Sequence, residues 1–306
     1  MKIALIGLGR IAQKAYLPIL SNHPEVDPVL CTRNTKTLKA LSGKFRIDNT
    51  YSNLEQLIRS KPDAAMVHSS TDSHVTIATK LLHAGIPVFI DKPLSYSLEE
   101  AEKVLDLSSK YNVPLYLGFN RRFAPLIRSL AQVPDPIQVS WQKNRVDLAG
   151  DPRIFIFDDF IHVIDSLRFL GKESVKNIKV FSRMHNGMLE NVQVQWQQGA
   201  TFLAGGMNRV SGITEERVEL YSTGNKWTVH NLNSGTHSTQ EQSTALTFDP
   251  WDTALYQRGF DDMIEDWLGV VRAGHYNPDT LKEIWATHQL CETILEEVLA
   301  RPGLPN

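Results

Sequence analysis

The sequence has few cysteines, no excess of basic charge and no long hydrophobic run. Cys31 and Cys291 are the only cysteines in 306 residues, and their separation excludes a disulfide framework and disfavours a zinc site. The formal net charge of -2 offers no basic field to a nucleic acid. No apolar run approaches the length of a membrane span, and no leader with a cleavage site precedes the first strand. We therefore expect a cytoplasmic protein without a metal site that binds neither nucleic acid nor membranes.

The length and the pattern of hydrophobic residues predict two domains. In residues 1–122, short apolar strands alternate with helical patterns, which is typical of a doubly wound parallel sheet, the Rossmann fold. Residues 123–306 contain longer β-like runs joined by turns, which predict an α+β domain with an open, mostly antiparallel sheet. We expect helices at residues 158–170, 254–273 and 279–300, the last two packing back on the first domain, and an exposed loop at residues 233–243.

The chain opens with KIALIGLGRIA, an apolar strand that runs into a G-x-G-x-x-A turn and a helical pattern. Gly7 permits the tight turn, Gly9 lets the backbone approach a pyrophosphate, and Ala12 allows close packing of helix and strand. Arg10 and Ile11 open the helix, whose N-terminus favours a phosphate group. The motif predicts a dinucleotide site, although a glycine-rich turn alone also occurs as a plain connection.

The second predicted strand ends in Thr32-Arg33-Asn34. NAD enzymes usually carry an acidic residue here for the ribose 2′-hydroxyl, and this sequence has none. A cation with hydroxyl and amide donors suits a 2′-phosphate, so we predict that NADP(H) is favoured over NAD(H). The alternative is an exposed arginine that merely opens a helix.

Further polar residues follow the later strands, and Lys92 is the most notable because a proline fixes the backbone beside it. The carboxyl ends of parallel strands share one rim, where such sheets bind ligands. For Asn120 the alternative is a polar loop in which Arg121 and Arg122 pair with local carboxylates. The predicted cofactor-binding residues are Gly7, Gly9, Arg10, Ile11, Thr32, Arg33, Asn34, Ser69, Ser70, His74, Asp91, Lys92 and Asn120.

The predicted helix from Asp158 carries a polar stripe. At about 100° per residue, Asp158, His162 and Asp165 fall within roughly 60° of one another, and we expect the stripe to face a cleft or solvent. The alternative makes Asp158 an N-cap and the stripe a surface contact of small energy.

Four motifs in order resemble the Gfo/Idh/MocA oxidoreductase family, and most closely its MviM-like branch. They are G-x-G-x-x-A, D-K-P at Asp91, G-F-N-R-R-F from Gly118, and D-x-x-x-H-x-x-D from Asp158. The resemblance covers nearly the whole chain. It implies a Rossmann domain, a second domain often used for oligomerisation, and NAD(P)-dependent oxidation or reduction of sugar-like or cyclitol substrates.

Carried over by position, the resemblance makes Lys92, Asp158 and His162 the catalytic residues. The sequence departs from the family at two positions. Asp91 replaces the usual glutamate and has a shorter reach, while Phe160 replaces a common glycine and could narrow the substrate pocket.

These residues suggest a mechanism. An imidazole titrates near neutral pH, so His162 suits the base that removes a hydroxyl proton. Asp158 would orient it, and Lys92 would stabilise negative charge on the substrate oxygen. The predicted substrate-binding residues are Lys92, Asn120, Lys143, Arg145, Asp158 and His162.

Three alternatives remain open from the sequence. Lys143 and Arg145 could be solvated charges that protect an edge strand from aggregation. The protein could be a catalytically silent NAD(P)-binding sensor of the same fold, or a lyase that uses transient oxidation. For either an enzyme or a sensor, we expect a homodimer or homotetramer formed through the second sheet.

Overall fold

The computed structural model describes residues 1–275 and 277–300. The chain divides into two compact units. The first contains residues 1–118 and 263–286, and the second contains residues 119–262 and the chain from residue 287 on. The helices are α1 (Leu17–Leu20), α2 (Thr35–Phe45), α3 (Leu54–Arg59), α4 (His74–His83), α5 (Leu98–Tyr111), α6 (Pro125–Leu130), α7 (Pro152–Ile154), α8 (Ile161–Gly171), α9 (Ala254–Gln257), α10 (Phe260–Ala273) and α11 (Asp279–Ala300).

The first unit is built on a six-stranded parallel sheet with the order β3-β2-β1-β4-β5-β6. Its strands are nearly continuous apolar runs, as expected for a sheet covered on both faces. This confirms the Rossmann prediction, and the order places the ends of β1, β2 and β4 side by side. The strands are β1 (Lys2–Ile6), β2 (Asp27–Cys31), β3 (Thr50–Tyr51), β4 (Ala64–Val67), β5 (Val88–Ile90) and β6 (Leu115–Leu117).

Local sequence signals in this half determine where α5 begins and ends. The Ser97 side chain caps α5 by accepting a hydrogen bond from the Glu100 amide (3.4 Å). The helix ends at Asn112, whose φ of 50° is left-handed. One feature was not predicted: the helix after the glycine motif contains a π-helical turn, Ala12–Tyr16, before α1.

The second unit contains an eight-stranded sheet with the order β14-β13-β12-β11-β7-β10-β9-β8. All its pairs are antiparallel except β7 with β10, so the predicted open, mostly antiparallel sheet is confirmed. The strands are β7 (Gln138–Asn144), β8 (Val175–His185), β9 (Met188–Gln198), β10 (Thr201–Asn208), β11 (Glu215–Ser222), β12 (Asn225–His230), β13 (Ser234–Thr239) and β14 (Gln242–Leu246).

Side chains alternate across this sheet. On β7, Val139, Trp141 and Lys143 are buried against the helical side, where α8 packs. β7 lies between β11 and β10, so the idea that Lys143 is a solvated charge on an edge strand is wrong.

Two predicted elements differ from the structure. Residues 233–243, predicted as a loop, lie mostly in the hairpin of β13 and β14, because backbone pairing at the sheet edge needs no apolar alternation when the side chains face solvent. The predicted helix at residues 254–273 is divided by Gly259, whose φ is 78°. A Cβ there would lie 2.3 Å from the Ala124 nitrogen, so this close approach requires glycine.

Candidate functional site

The turn after β1 is shaped by Gly7. Its φ is 85° and its amide donates to the Cys31 carbonyl oxygen (3.0 Å). A Cβ on Gly7 would lie 2.5 Å from the Ser69 nitrogen. At Gly9 a Cβ would meet no heavy atom of the described residues within 4 Å. The chain therefore needs Gly7 for its own packing, whereas Gly9 leaves an open space at the start of the following helix.

A cleft of about 500 Å³ lies at the carboxyl ends of β1, β2 and β4. Five of the thirteen predicted cofactor-binding residues line it, namely Gly7, Thr32, Arg33, Ser69 and Ser70. Asn34 was predicted to bind the cofactor, but its side chain caps α2 instead by accepting a hydrogen bond from the Thr37 amide (3.0 Å). The lining residues are Ile6, Gly7, Cys31, Thr32, Arg33, Ser52, Asn53, Leu54, Glu55, Ser69, Ser70, Asp72, Ser73, Thr76, Ile77 and Lys80.

Glu55 and Lys80 line this cleft and were not predicted from the sequence. Their side chains form an ion pair of 2.6 Å, and both are about half exposed. The cleft thus contains a carboxylate that does not follow β2 but comes from the first turn of α3. No sequence pattern indicated this role, since the β3–α3 connection must fold over the sheet before Glu55 reaches the cleft.

His74 connects two loops of the rim. Its ring is 1% exposed, and its nitrogens lie 2.8 Å from the Pro93 carbonyl oxygen and 3.1 Å from that of Ser69. The ring thereby ties the loop after β4 to the loop that carries Lys92. Its predicted role as a direct cofactor contact stays a prediction.

Asp91 and Tyr16 form a buried pair beside Lys92. Asp91 accepts hydrogen bonds from the Tyr16 hydroxyl (3.2 Å) and from the Lys92 amide (3.1 Å). Burial raises the pKa of Asp91 although Lys92 and Tyr16 act in the opposite direction. Burial lowers the pKa of His68, which stacks on Tyr16 at 3.9 Å, to about 3, so its ring is neutral at pH 7. The π-helical turn that presents Tyr16 therefore supports the backbone at Lys92, and Tyr16 was missed from the sequence.

In the second unit, Asn120 and its neighbours have structural partners. Asn120 is buried, and its amide donates to the Arg258 carbonyl oxygen (2.8 Å). Arg121 makes two hydrogen bonds to Glu216, of 2.6 and 2.8 Å. Arg122 likewise donates two hydrogen bonds to the carboxylate of Asp165, of 2.8 and 2.6 Å. Both arginines thus pair with carboxylates, but these are 95 and 43 residues away rather than local.

The helix that carries Asp158 and His162 begins earlier than predicted. Its N-cap is Asp151, which accepts from the Ile154 amide (3.1 Å), and a π-helical turn, Phe155–Phe160, lies between α7 and α8. The interpretation of Asp158 as an N-cap is therefore wrong. Both Asp158 and His162 are partly exposed.

Asp165 does not share the exposed stripe predicted for it. Its side chain is 1% exposed and accepts hydrogen bonds from Arg122 and from the Thr287 hydroxyl (3.1 Å). A helical wheel cannot foresee this, because the donors come from distant parts of the chain and make burial of the carboxylate favourable.

Four basic side chains, which we call the cationic cluster, gather on the helical side of the second sheet: Arg121, Lys143, Arg145 and Arg209. Three of them contact the carboxylate of Asp159. Lys143 pairs directly with it, and Arg145 and Arg209 approach it to 3.3 and 3.2 Å. Asp159 and Arg209 were missed from the sequence.

The electrostatics of the cluster follow from burial and charge. Burial, aided by the charge of Arg121, lowers the pKa of Lys143 to about 7. Burial alone would raise the pKa of Asp159, but Lys143, Arg145 and Arg209 outweigh it and hold that pKa below its usual range. Asp159 is thus an anion at neutral pH because it faces three cations.

The first unit fits a dinucleotide. Gly9 leaves space where a side chain would otherwise stand, and the helix N-terminus that follows it favours a phosphate. The cleft beside it has hydroxyl groups and the Arg33 cation. The residues that would hold the group are therefore Gly7, Gly9 and those at the ends of β2 and β4.

Within residues 1–275 and 277–300, no helix is both long and apolar enough for a membrane span. Within the same ranges, no three His, Cys, Asp or Glu side chains are grouped as a metal ion would require.

Comparison with known proteins gives matches over nearly the whole chain. Residues 1–119 match the model of an oxidoreductase family with an NAD-binding Rossmann fold, and residues 127–240 match a YceM-like C-terminal domain. A putative oxidoreductase, YceM of Salmonella typhimurium, is 31% identical over 266 residues, which are 85% of this chain and 86% of the relative.

A solved structure and a more distant relative are also similar to this chain. The crystal structure of a Gfo/Idh/MocA family oxidoreductase from Vibrio cholerae is 38% identical with a TM-score of 0.93, and the match covers 97% of each chain. The myo-inositol 2-dehydrogenase of Thermotoga maritima is 26% identical over 194 residues, 58% of this chain and 57% of that protein.

Proposed function

The chain belongs to the Gfo/Idh/MocA oxidoreductase family, and we propose that it transfers a hydride between NADP(H) and a hydroxyl or carbonyl group of a sugar, polyol or cyclitol. The proposal rests on the glycine turn at Gly7 and Gly9, where the backbone leaves space for a pyrophosphate. The match to a family oxidoreductase over 97% of the chain supports it. The name of the Thermotoga relative supports a cyclitol-like substrate. When bound, the nicotinamide supplies or accepts the hydride.

We assign three catalytic roles. His162 takes the proton from the substrate hydroxyl during oxidation and returns it during reduction. Asp158, one turn earlier on the helix, orients the imidazole and favours its protonated form. Lys92 donates to the substrate oxygen and stabilises the negative charge that develops there. Asn120 contributes to placing the substrate or the ribose.

The test begins with fluorescence titration of NADPH and NADH. A panel of polyols, sugars and sugar acids is then followed at the absorbance of the reduced nicotinamide. Nucleotide binding with turnover of a panel member supports the dehydrogenase. Nucleotide binding without any turnover would favour the second candidate, a catalytically silent sensor, while turnover without net release of reduced cofactor would favour a lyase.

The preference for NADP(H) rests on Arg33, and Arg33→Ala is expected to weaken NADPH binding by about tenfold while changing NADH binding little. The reason is that an arginine lining the cleft can pair with a 2′-phosphate, which NADH lacks. Fluorescence titration of both nucleotides measures the difference.

Glu55→Gln is the informative companion variant because Glu55 supplies a carboxylate to the same cleft. If Glu55 bound a ribose 2′-hydroxyl instead, this variant would weaken NADH binding selectively. If Arg33→Ala lowered the affinity for NADPH and for NADH equally, the assignment of Arg33 to a 2′-phosphate would be contradicted.

We further propose that the protein forms a homodimer or homotetramer through the open face of the second sheet, the face away from α8. Phe181 and Phe202 lie on this face and are 54% and 57% exposed, while glutamine side chains make much of the rest of the face polar. Sedimentation is expected to give at least twice the chain mass of 34.5 kDa. A monomer at micromolar concentration would refute this proposal.

A further inference from the structure

The cationic cluster contains more positive than negative charge. Its four basic side chains face the carboxylates of Asp159 and Glu216, while a third carboxylate near Arg121, that of Asp165, is bound by Arg122 outside the cluster. Glu216 is already occupied, since it accepts two hydrogen bonds from Arg121 and one from the Trp141 indole (2.9 Å). Asp159 alone therefore faces Lys143, Arg145 and Arg209. Even with Lys143 neutral, three arginines exceed two carboxylates.

A buried surplus of charge is unfavourable unless an opposite charge compensates it. The shortage of negative charge is visible at Arg209, whose side chain is 91% buried. Its Nε atom has no hydrogen-bond acceptor among the described residues. Within the described residues, its two terminal nitrogens bind the Leu148 carbonyl oxygen (3.3 Å) and Asp159 (3.2 Å), and its guanidinium lies 4.5 Å from the centre of the Phe155 ring. Burial, together with the neighbouring charge of Arg121, also lowers the pKa of Lys143 to about 7.

The cluster opens to solvent at Arg145. This side chain is 26% exposed, the most of the four, and Asp159 beside it is 14% exposed. Among the described residues, Arg145 contacts the Asn144 carbonyl oxygen at 3.2 Å and Asp159 at 3.3 and 3.4 Å, which are long distances for a guanidinium. A guanidinium with such loose contacts can turn to bind an incoming carboxylate or phosphate with two parallel hydrogen bonds.

The cluster is also near the proposed base along the helix. Asp159 precedes His162 by three residues, which is less than one turn of the helical segment that contains both. A ligand whose hydroxyl approaches His162 could therefore extend an anionic group towards Arg145.

We propose that the substrate is an anionic sugar or polyol, carrying a carboxylate or a phosphate that Arg145 binds while Lys143 and Arg209 supply supporting positive charge. The anion compensates the surplus charge that Asp159 leaves unmatched. This inference rests on the proposed oxidoreductase function, of which it specifies the substrate class.

The experiment compares D-glucuronate, D-glucose 6-phosphate and D-glucose, three hexoses that differ in the group at C6. Calorimetric binding is measured with and without saturating NADPH, and kcat/KM is measured with NADP⁺. For at least one anionic sugar, the affinity and kcat/KM are expected to exceed those for glucose by about tenfold or more. Added salt should reduce that difference. Which of the two anions is favoured identifies the group as carboxylate or phosphate.

Arg145→Gln tests the assignment, and Arg217→Gln is the matched control because Arg217 is an exposed arginine paired with Glu219 on the same sheet. Arg145→Gln should bring the ratio of kcat/KM for the anionic sugar to kcat/KM for glucose close to one. Arg145→Lys should retain part of the preference for the anionic sugar. Arg217→Gln should leave the ratio unchanged.

The inference is overturned if glucose binds as well as both anions, if none of the three binds, or if the anion advantage survives Arg145→Gln. Oxidation of neutral sugars without an anion advantage would leave the dehydrogenase proposal intact. Failure of the protein to bind either nucleotide would refute the proposed function, and the calorimetric comparison without nucleotide would still decide the anion site.

Discussion

Replacing His162 with alanine is expected to lower kcat/KM by about 10²–10⁴-fold while leaving nucleotide binding nearly unchanged. The expected loss reflects removal of the base from a step in which the hydroxyl proton must leave as the hydride is transferred. Lys92→Ala is expected to lose about 10²–10³-fold, since it removes the cation that stabilises the substrate oxygen.

Fluorescence titration of the nucleotide and initial rates on the best panel substrate measure these two effects separately. His185→Ala is a suitable control because His185 is exposed at the end of β8, and Lys103→Ala serves likewise because Lys103 is exposed on α5. Residues that act together in one step lose activity non-additively. The variant that combines His162→Ala and Lys92→Ala should therefore have a kcat/KM only slightly below that of His162→Ala.

Two outcomes would contradict the catalytic assignment. If His162→Ala kept a rate close to that of the unaltered protein, another group would have to be the base. If the two control variants lost as much activity as the test variants, the losses would have to be ascribed to general instability.

Gly9→Ala is expected to weaken nucleotide binding by at least about tenfold while the protein keeps or slightly gains stability. The described residues leave open space around a Cβ at this position, and Gly9 has no left-handed φ. Alanine can therefore be accommodated, and it restricts the unfolded chain, which stabilises by about 0.4–1 kcal/mol. The added methyl group instead obstructs the close approach of a pyrophosphate.

Gly7→Ala provides the contrast. Its φ of 85° and the Ser69 backbone at 2.5 Å mean that the sheet rim must shift, so the free energy of unfolding should fall by about 1–3 kcal/mol. Urea denaturation and NADPH titration of both variants separate the two effects. A large loss of stability in Gly9→Ala, or nucleotide binding equal to that of the unaltered protein, would contradict the role given to Gly9.

Much of the fold could be predicted from local sequence. The strand of Lys2–Ile6, the glycine turn and the Ser97 cap depend on residues close together in the chain, so their patterns report the structure directly. Six of the eight strands of the second sheet, β7 to β12, also correspond to β-like runs of the sequence, because their apolar side chains alternate. The hairpin of β13 and β14 was missed because both of its faces are polar, so its strands show no alternation of apolar side chains in the sequence.

The candidate site could be predicted in part. Thr32, Arg33 and Ser69 were expected at one rim, and they line one cleft, because the ends of neighbouring parallel strands must meet there. Glu55 and Tyr16 were missed, since each reaches the rim from a helical segment whose direction no periodicity reveals. Asp165 was misplaced for a related reason, because Arg122 and Thr287 determine its burial.

The sequence by itself determined the dinucleotide turn, the parallel first sheet, the open second sheet and the family, all of which depend on short motifs and on hydrophobic periodicity. Only the tertiary structure decided which charges meet. Arg121 finds Glu216 across 95 residues, and three basic side chains converge on Asp159. Such contacts depend on sheet register and helix packing, which act over distances that local sequence patterns do not encode.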